Sequence, residues 1–240
     1  MRRGDVVLET RNLSMHFGGV RAVDHVDFSL WDNELRCLIG PNGAGKSTFF
    51  KCLTGQLTPT AGDVVIRDVH VAGREPHAVA RLGVGIKTQV PNVFDGLTAR
   101  ENIWISARRW HTAKRAAALT AQTIERLQLG DIAAKLVGSL AHGQRQWVEL
   151  GMVVAADPWL VLLDEPAAGM THEETARTAD LIKEINETAA MIVVEHDMQF
   201  IRMISKQVTL FHEGSILMDD TMDAISADPR AREVYLGHRA

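Results

Sequence analysis

The pattern of hydrophobic and polar positions changes along the chain. Residues 6–8, 23–28 and 35–39 form short runs, most of which alternate apolar with polar side chains, and alternation is typical of antiparallel strands. Between residues 97 and 137, apolar positions recur every three or four residues among alanine-rich stretches, which predicts helices. Residues 160–163 and 191–194 are apolar without alternation, as in parallel strands buried on both faces. A helix predicted over residues 171–188 would join them by a crossover.

The remaining strands and helices in the pattern predict the α/β fold class. The strand at 35–39 runs into a glycine-rich turn, a helix is predicted at 46–54, and further strands at 64–66 and 84–87. A chain of 240 residues can bury a full core. We therefore predict a single domain over residues 1–240, with a parallel-sheet core, an antiparallel β edge and a helical insert at roughly 97–157.

Composition narrows the classes of function. Hydrophobic residues make up 46% and charged residues 23%, which is ordinary for a globular protein, and the net charge of −4 lacks the basic excess that nucleic acid requires. Cys37 and Cys52 lie in apolar runs, which favours reduced core thiols in a cytosolic protein. No apolar run approaches the ~20 residues of a membrane helix, and residues 2–3, a pair of arginines, precede no apolar segment. Any role at a membrane is expected from the cytosolic side and through partners.

A phosphate-binding motif carries the strongest chemical signal. The pattern Gly-x-x-x-x-Gly-Lys-Ser follows a predicted strand and opens a predicted helix, so backbone N–H groups and the helix start converge on an anion. Lys46 would reach the β- and γ-phosphates of ATP, and the Ser47 hydroxyl would bind Mg²⁺. The predicted nucleotide-binding residues of this loop are Gly40, Pro41, Asn42, Gly43, Ala44, Gly45, Lys46, Ser47 and Thr48.

Two carboxylates, Asp164 and Glu165, follow the apolar strand at 160–163. Ligands of open α/β sheets bind at this strand end, so Asp164 would hold Mg²⁺ and Glu165 would polarise the attacking water. An acidic pair in this place also fits a solvated strand end, but the phosphate loop upstream favours hydrolysis. His196 follows the next apolar strand and would contact the γ-phosphate, although a lone histidine there also fits a structural role.

With these parts in order, the chain resembles an ATP-binding cassette (ABC) ATPase over nearly its full length. Phe17 resembles the aromatic residue that stacks on adenine, with core packing as the alternative, and Gln89 resembles the glutamine that joins the Mg²⁺ site and senses the membrane subunit. The resemblance implies catalytic roles for Glu165, His196 and Gln89. The residues that resemble the family signature are Leu140, Ala141, His142, Gly143 and Gln144.

In this family the signature closes on the ATP held by the other cassette of a dimer, so the resemblance implies a dimer. Two features depart from the family pattern. Ala141 replaces a serine and His142 a glycine, and the loop at 166–171 lacks the usual aspartate. We expect weaker support for the partner's composite site, whereas this chain's own site keeps Glu165 and His196 and should hydrolyse ATP.

Several segments are similar to importers of branched-chain amino acids and amides, namely residues 91–103, 141–147, 168–171, 194–198 and 233–237. The last four are similar to the form in urea importer ATPases. This implies urea, or a related small amide, as the cargo, with branched-chain amino acids as the alternative. It also implies a heterodimer with a second cassette, two permease subunits, a periplasmic binding protein and a peripheral place on the cytoplasmic face of the inner membrane.

The surface near the signature is expected to be solvated. Arg145 and Trp147 are predicted to be exposed, and the basic segment at 105–115 is predicted to be a solvated helical face rather than a contact for lipid or permease. Two other classes of protein compete. A soluble cassette acting on DNA or ribosomes would need a long coiled-coil insertion or a second cassette, and the chain has neither. A non-hydrolysing regulatory cassette remains possible because of Ala141.

Overall fold

The computed structural model describes residues 4–90, 92–205 and 207–236. Pro91 and Gly237, which belong to two of the segments used for the resemblance, lie outside the described residues. The strands are β1 Val6–Phe17, β2 Val20–Trp31, β3 Leu35–Ile39, β4 Ala61–Ile66, β5 Val69–His70, β6 Val84–Lys87, β7 Leu160–Asp164, β8 Ala190–Val194, β9 Gln207–His212 and β10 Ser215–Thr221. The helices are α1 Lys46–Leu53, α2 Pro76–Ala80, α3 Ala99–Arg108, α4 Ala113–Arg126, α5 His142–Ala155, α6 His172–Asn186, α7 Met198–Ile204, α8 Met222–Ala227 and α9 Pro229–Leu236.

Two sheets form the framework. The larger sheet has the order β10-β9-β3-β8-β7-β6, with parallel pairing from β9 through β6 and an antiparallel edge at β10. The smaller, antiparallel sheet has the order β2-β1-β4-β5. The predicted fold class, a parallel sheet with an antiparallel β edge, is confirmed. The crossover is confirmed as well, because α6 joins β7 to its parallel neighbour β8.

The central strands β7 and β8 are apolar over residues 160–163 and 190–194 because both faces of their sheet are covered. Leu160 and Leu162 of β7 pack toward α1 and the smaller sheet, whereas Val161 and Leu163 pack toward α5 and α6. All five residues of β7 are buried. The sheet is therefore the middle layer, and its strand ends project Asp164 and the residues after β8 to one edge.

The helices α3, α4 and α5 pack together and meet the core at α6. Trp147 of α5 was predicted to be exposed, but it is only 7% exposed. Its Nε1 donates to Thr178 Oγ1 at 2.9 Å, and the Arg177 guanidinium lies 4.0 Å from its ring centroid. The prediction was wrong because a 3.6-residue period places this ring on the face toward α6. Arg145 remains partly exposed and pairs with Asp95 at 2.6 Å.

The other compositional expectations concern the thiols and the membrane. Cys37 and Cys52 are free and buried, as predicted. Burial raises the pKa of Cys37 to about 12 and that of Cys52 to about 11. None of the helices in the described ranges combines the length and the apolar character that a membrane span needs.

Candidate active site

The loop between β3 and α1 is shaped by glycines that tolerate no side chain. A Cβ on Gly40 would lie 2.3 Å from the Phe211 carbonyl oxygen, and a Cβ on Gly45 would lie 2.3 Å from the Ala22 carbonyl oxygen. Both residues also have positive φ, at 145° and 102°. The loop thus packs closely against the backbone of β9 and β2, and only glycine satisfies both positions.

The start of α1 suits an anion. Gly45 caps the helix without a side-chain hydrogen bond, and no acidic residue lies in the first turn. The first N–H groups of a helix have no partner within it, and they carry the positive end of the helix dipole. Lys46 adds a charge, and its Nζ donates to the carbonyls of Gly40 at 2.6 Å and Pro41 at 2.9 Å. These groups together can hold a phosphate chain.

The carboxylates of Asp164 and Glu165 lie close enough to this loop to affect the charge of Lys46. Burial lowers the pKa of Lys46, and the nearby carboxylates of Glu165 and Asp164 oppose that effect. The pKa of Asp164 is raised, chiefly by burial and then by Glu165, while Lys87, Lys51 and Lys46 act against the rise. A cation brought to this edge would therefore relieve an unfavourable burial of negative charge.

The donor set fits Mg²⁺ when phosphates complete it. Among the described residues, no group of three or more His, Cys, Asp or Glu side chains forms a self-sufficient metal site. Ser47, Gln89 and Asp164 offer a hydroxyl, an amide oxygen and a carboxylate, which are the hard oxygen ligands that Mg²⁺ takes. A magnesium site with few protein ligands, shared with substrate phosphates, matches this arrangement.

Glu165 stands at the centre of the predicted catalytic residues. Gln89 Nε2 donates to Glu165 Oε2 at 2.8 Å, and His196 Nδ1 lies 3.5 Å from Glu165 Oε1. The Glu165 backbone has a φ of 46°, and its N–H donates to the Val194 carbonyl at 2.9 Å. The structure thus brings together three residues that are far apart in sequence. The left-handed turn holds the carboxylate at the end of β7.

Glu195 is a supporting residue to which the sequence assigned no role. It is 2% exposed, its Oε1 accepts from the Ala167 N–H at 3.2 Å, and its Oε2 accepts from the His196 N–H at 3.1 Å. Burial raises the pKa of its carboxyl group. Glu195 therefore ties the loop after Glu165 to the turn that carries His196. Its place directly after an apolar strand, like that of Asp164, was the available signal.

Phe17 lies on the hairpin between β1 and β2. It pairs with Val20 in the ladder, and their exposed fractions are 47% and 65%. Core packing, the alternative for Phe17, does not apply to a ring this exposed. Strand β2 of the same hairpin supplies Ala22, whose carbonyl oxygen would lie 2.3 Å from a Cβ at Gly45 of the phosphate loop. An aromatic face is thus available beside the loop.

The five residues that resemble the signature open α5. Ala141 is the N-cap and its N–H donates to Gln144 Oε1 at 3.2 Å, while Leu140 is buried below. His142 Nε2 lies 3.0 Å from the Ala168 carbonyl oxygen, in the loop after Glu165. A Cβ on Gly143 would lie 2.3 Å from Glu174 Oε1. In the described part of the chain, no hydrogen bond or ion pair joins these residues to the phosphate loop.

Comparisons with known proteins identify the family. A family model described as ABC transporter matches residues 23–168. The high-affinity branched-chain amino acid transport ATP-binding protein LivG of Escherichia coli (strain K12) is 32% identical over 249 aligned residues, covering 96% of this chain and 98% of LivG. The corresponding protein BraF of Pseudomonas aeruginosa is 31% identical with the same coverage.

Solved structures agree on the fold. A crystal structure of the ADP conformation of an ATP-binding cassette has a TM-score of 0.87 at 23% identity, covering 98% of this chain and 100% of that one. A nucleotide-free cassette has a TM-score of 0.86 at 22% identity, with coverage of 98% and 100%. The structures show the fold, and the family model and the relatives above 30% identity show the family. The chain therefore belongs to the ABC transporter family as an ATP-binding cassette with ATPase activity.

Proposed function

We propose that this chain is the ATP-hydrolysing subunit of an ABC importer and that residues 1–240 form one cassette with a helical subdomain at roughly 97–157. The contact of Gln89 and His196 with Glu165 carries the proposal. This contact places the Glu165 carboxylate between Gln89, on an exposed loop, and His196, which follows the neighbouring strand β8. A purely regulatory cassette would have no need to keep this carboxylate oriented from two sides.

The proposed reaction is the attack of water on the γ-phosphorus of ATP. The oxygen of water forms the new bond, the bond from the γ-phosphorus to the bridging oxygen breaks, and ADP and phosphate leave. Glu165 accepts the proton of water or orients it, and Gln89 and His196 hold the carboxylate. The phosphate loop neutralises charge through its N–H groups and Lys46. Ser47, Gln89 and Asp164 would hold Mg²⁺, which stabilises charge on the phosphates.

The adenine and signature positions complete the proposed nucleotide site. Phe17, exposed on its hairpin, would stack on the base. The start of α5, with Ala141, His142 and Gly143, would face the ATP of a second cassette, because no hydrogen bond or ion pair in the described residues joins it to the phosphate loop of its own chain. A dimeric structure of a bacterial ABC transporter cassette, which shares the fold at 20% identity, supports pairing of two such cassettes.

A permease segment would dock in the cleft beside Gln89. A cavity of about 460 Å³ lies between α2 and β6 on one side and α3 and α5 on the other, and Thr88 and Asn92, on either side of Gln89 in the chain, line it. Trp110, which is 37% exposed, lines this cavity, and Phe94, which is 52% exposed, lines a neighbouring cavity that shares Asn92 with it. A cleft of this kind suits an amphipathic segment of a membrane partner. The chain would therefore work peripherally, on the cytoplasmic face of the inner membrane.

Two transported substrates, branched-chain amino acids and urea, are weighed against each other. The names of LivG and BraF support branched-chain amino acids, whereas the segments at 141–147 and 168–171 favour urea. The relatives match over almost the whole chain and the segments are short, so branched-chain amino acids are the better supported cargo. Urea stays a prediction. A second cassette, two permeases and a periplasmic binding protein would complete the transporter.

One uptake experiment tests both whether this ATPase drives import and which substrate is imported. Lys46→Ala is introduced in the source cell, with the exposed Lys114→Ala as the matched control, and uptake of labelled leucine and labelled urea is followed at low external concentration. Loss of leucine uptake in the Lys46 variant alone supports the importer and the amino acid cargo. Loss of urea uptake alone supports the importer and reverses the cargo. If uptake of neither leucine nor urea falls, the chain does not drive either importer.

A further inference from the structure

A buried ion pair joins the end of β6 to the middle of α5. The side chains of Lys87 and Glu149 are 0% and 5% exposed, and Lys87 Nζ lies 3.4 Å from Glu149 Oε2. This Oε2 atom is buried and accepts no hydrogen bond from any residue that the structure describes. The pair is therefore sustained by mutual attraction at a separation slightly beyond a good hydrogen bond.

The pair holds the loop of Gln89 from both sides. Lys87 Nζ donates to the Thr88 carbonyl at 3.3 Å, and Glu149 Oε1 accepts from the Asn92 N–H at 2.9 Å. Thr88 precedes Gln89 by one residue, and Asn92 follows it by three. Both ends of the segment that points Gln89 toward Glu165 are thus tied to one pair of charges.

The electrostatics show that the two charges depend on each other. Burial raises the pKa of Glu149 and lowers that of Lys87, and in each case the partner's charge is the main opposing influence. The charge of Lys87 also lowers the pKa of Asp164 against the effect of burial. Loss of either partner would leave an uncompensated charge beside the loop and close to the proposed Mg²⁺ site.

Glu149 also connects this loop to the signature. It lies on α5, which begins at His142, so the two residues are about two helical turns, or roughly 10 Å, apart along one rigid helix. A displacement of α5 relative to β6 would move the Asn92 backbone through Glu149. The loop cannot shift freely while the pair is intact.

We propose that Glu149, paired with Lys87, is a positioning residue. Glu149 holds the Asn92 backbone and Lys87 holds the Thr88 carbonyl, so that Gln89 remains hydrogen-bonded to Glu165. This inference rests on the proposed function, because it assigns Glu149 an effect on hydrolysis that acts through Gln89. Both side chains of the pair are buried, so neither is expected to touch the substrate.

Two charge-free double variants separate the hydrogen bond to the loop from the ion pair. Lys87→Met/Glu149→Gln keeps an acceptor for the Asn92 N–H, and Lys87→Met/Glu149→Leu removes it. In the assembled transporter, we expect the Leu variant to lose about tenfold in kcat with KM for ATP changed less than about twofold, since a small misplacement in an active site costs rate rather than binding. The Gln variant should stay within about threefold of wild type.

A second measurement asks whether the effect passes through Gln89. Adding Gln89→Ala to the Leu variant should lower kcat no further than the stronger of the two changes does alone, because both act on one contact. Glu34→Gln, which weakens the buried Arg36–Glu34 pair at the start of β3, is the control, and it should change stability without changing kcat.

The outcomes divide cleanly. A tenfold loss that is absent in the Gln variant and non-additive with Gln89→Ala supports the proposal. Equal loss in the Gln and Leu variants, multiplicative loss with Gln89→Ala, a parallel rise in KM, or full activity in the Leu variant overturns it. If Glu165→Gln retained wild-type hydrolysis, the proposed function itself would fail, so the two failures are distinguishable.

Discussion

Replacing Glu165 by glutamine removes one charge and changes almost nothing else in the structure. The amide has the size of the carboxylate, and its oxygen can still accept from Gln89 Nε2, which lies 2.8 Å from Oε2. The amide nitrogen would face His196 Nδ1, which lies 3.5 Å from Oε1. Lys46 and the phosphate loop are untouched, so the variant should still bind ATP.

The expected loss is that of a general base. A positioned base contributes about 10²–10⁴-fold to a rate, which corresponds to about 3–5 kcal/mol in the activation free energy. We therefore expect kcat for hydrolysis to fall by at least about a hundredfold, whereas the Kd for ATP should change less than about threefold, because the lost charge acts mainly in the transition state.

The assay is phosphate release in a single turnover, with nucleotide binding measured in parallel on the same preparation. Glu173→Gln is the matched control, since Glu173 is exposed in the first turn of α6 and contacts none of the catalytic residues. It should hydrolyse ATP like the wild type. A Glu165 variant that retained a third or more of the wild-type rate would refute the assignment of Glu165 as the base.

Three further predictions concern stability and reactivity. Trp147→Phe removes the hydrogen bond to Thr178 and should lower the free energy of unfolding by about 1–2 kcal/mol in urea titrations, whereas Trp110→Phe, at a partly exposed ring, should cost about 0.5 kcal/mol or less; equal costs would show that the contact is unimportant. Because burial raises the pKa of Cys37 to about 12, its thiol should resist alkylation at pH 8 in the folded protein and react after unfolding, and fast labelling of native Cys37 would contradict its burial. Burial raises the pKa of Glu195 above its ordinary 4.5, so the folded state holds this proton more tightly than the unfolded chain, and the resulting stability is present below pH 4.5 and is lost as pH rises through the folded pKa. Glu195→Gln cannot titrate, so its Tm relative to wild type should rise from pH 4.5 upward; parallel curves would show that Glu195 does not titrate in this window.

Much of the fold was readable in advance because its signals are local. The apolar runs that became β7 and β8 lack alternation, and that absence follows from a sheet covered on both faces. The glycine-rich turn before α1 was equally legible from its spacing, whereas the reason that only glycine fits at Gly40 and Gly45 is tertiary, since a Cβ there would meet the carbonyls of Phe211 and Ala22. Strands continued past the predicted runs: the run predicted at 6–8 became β1 Val6–Phe17, and the run predicted at 23–28 became β2 Val20–Trp31.

The environment of single side chains was harder to predict. Trp147 looked exposed because it neighbours charged residues in sequence, but the packing of α5 on α6 covers it. The Lys87–Glu149 pair escaped notice since its members stand 62 positions apart and each looks like an ordinary surface charge. Glu195 was seen only as part of a motif, and its two backbone contacts became apparent in the folded chain.

The sequence by itself determined the phosphate loop, the acidic strand end and the α/β class, because each depends on the backbone and on near neighbours in the chain. Tertiary structure decided which polar groups meet: Gln89 and His196 on Glu165, His142 on the Ala168 carbonyl, and Lys87 on Glu149. Such contacts arise from strand order and helix packing, which bring distant segments to one sheet edge. A periodic pattern specifies the face of an element, whereas the partner on that face is chosen only when the layers pack.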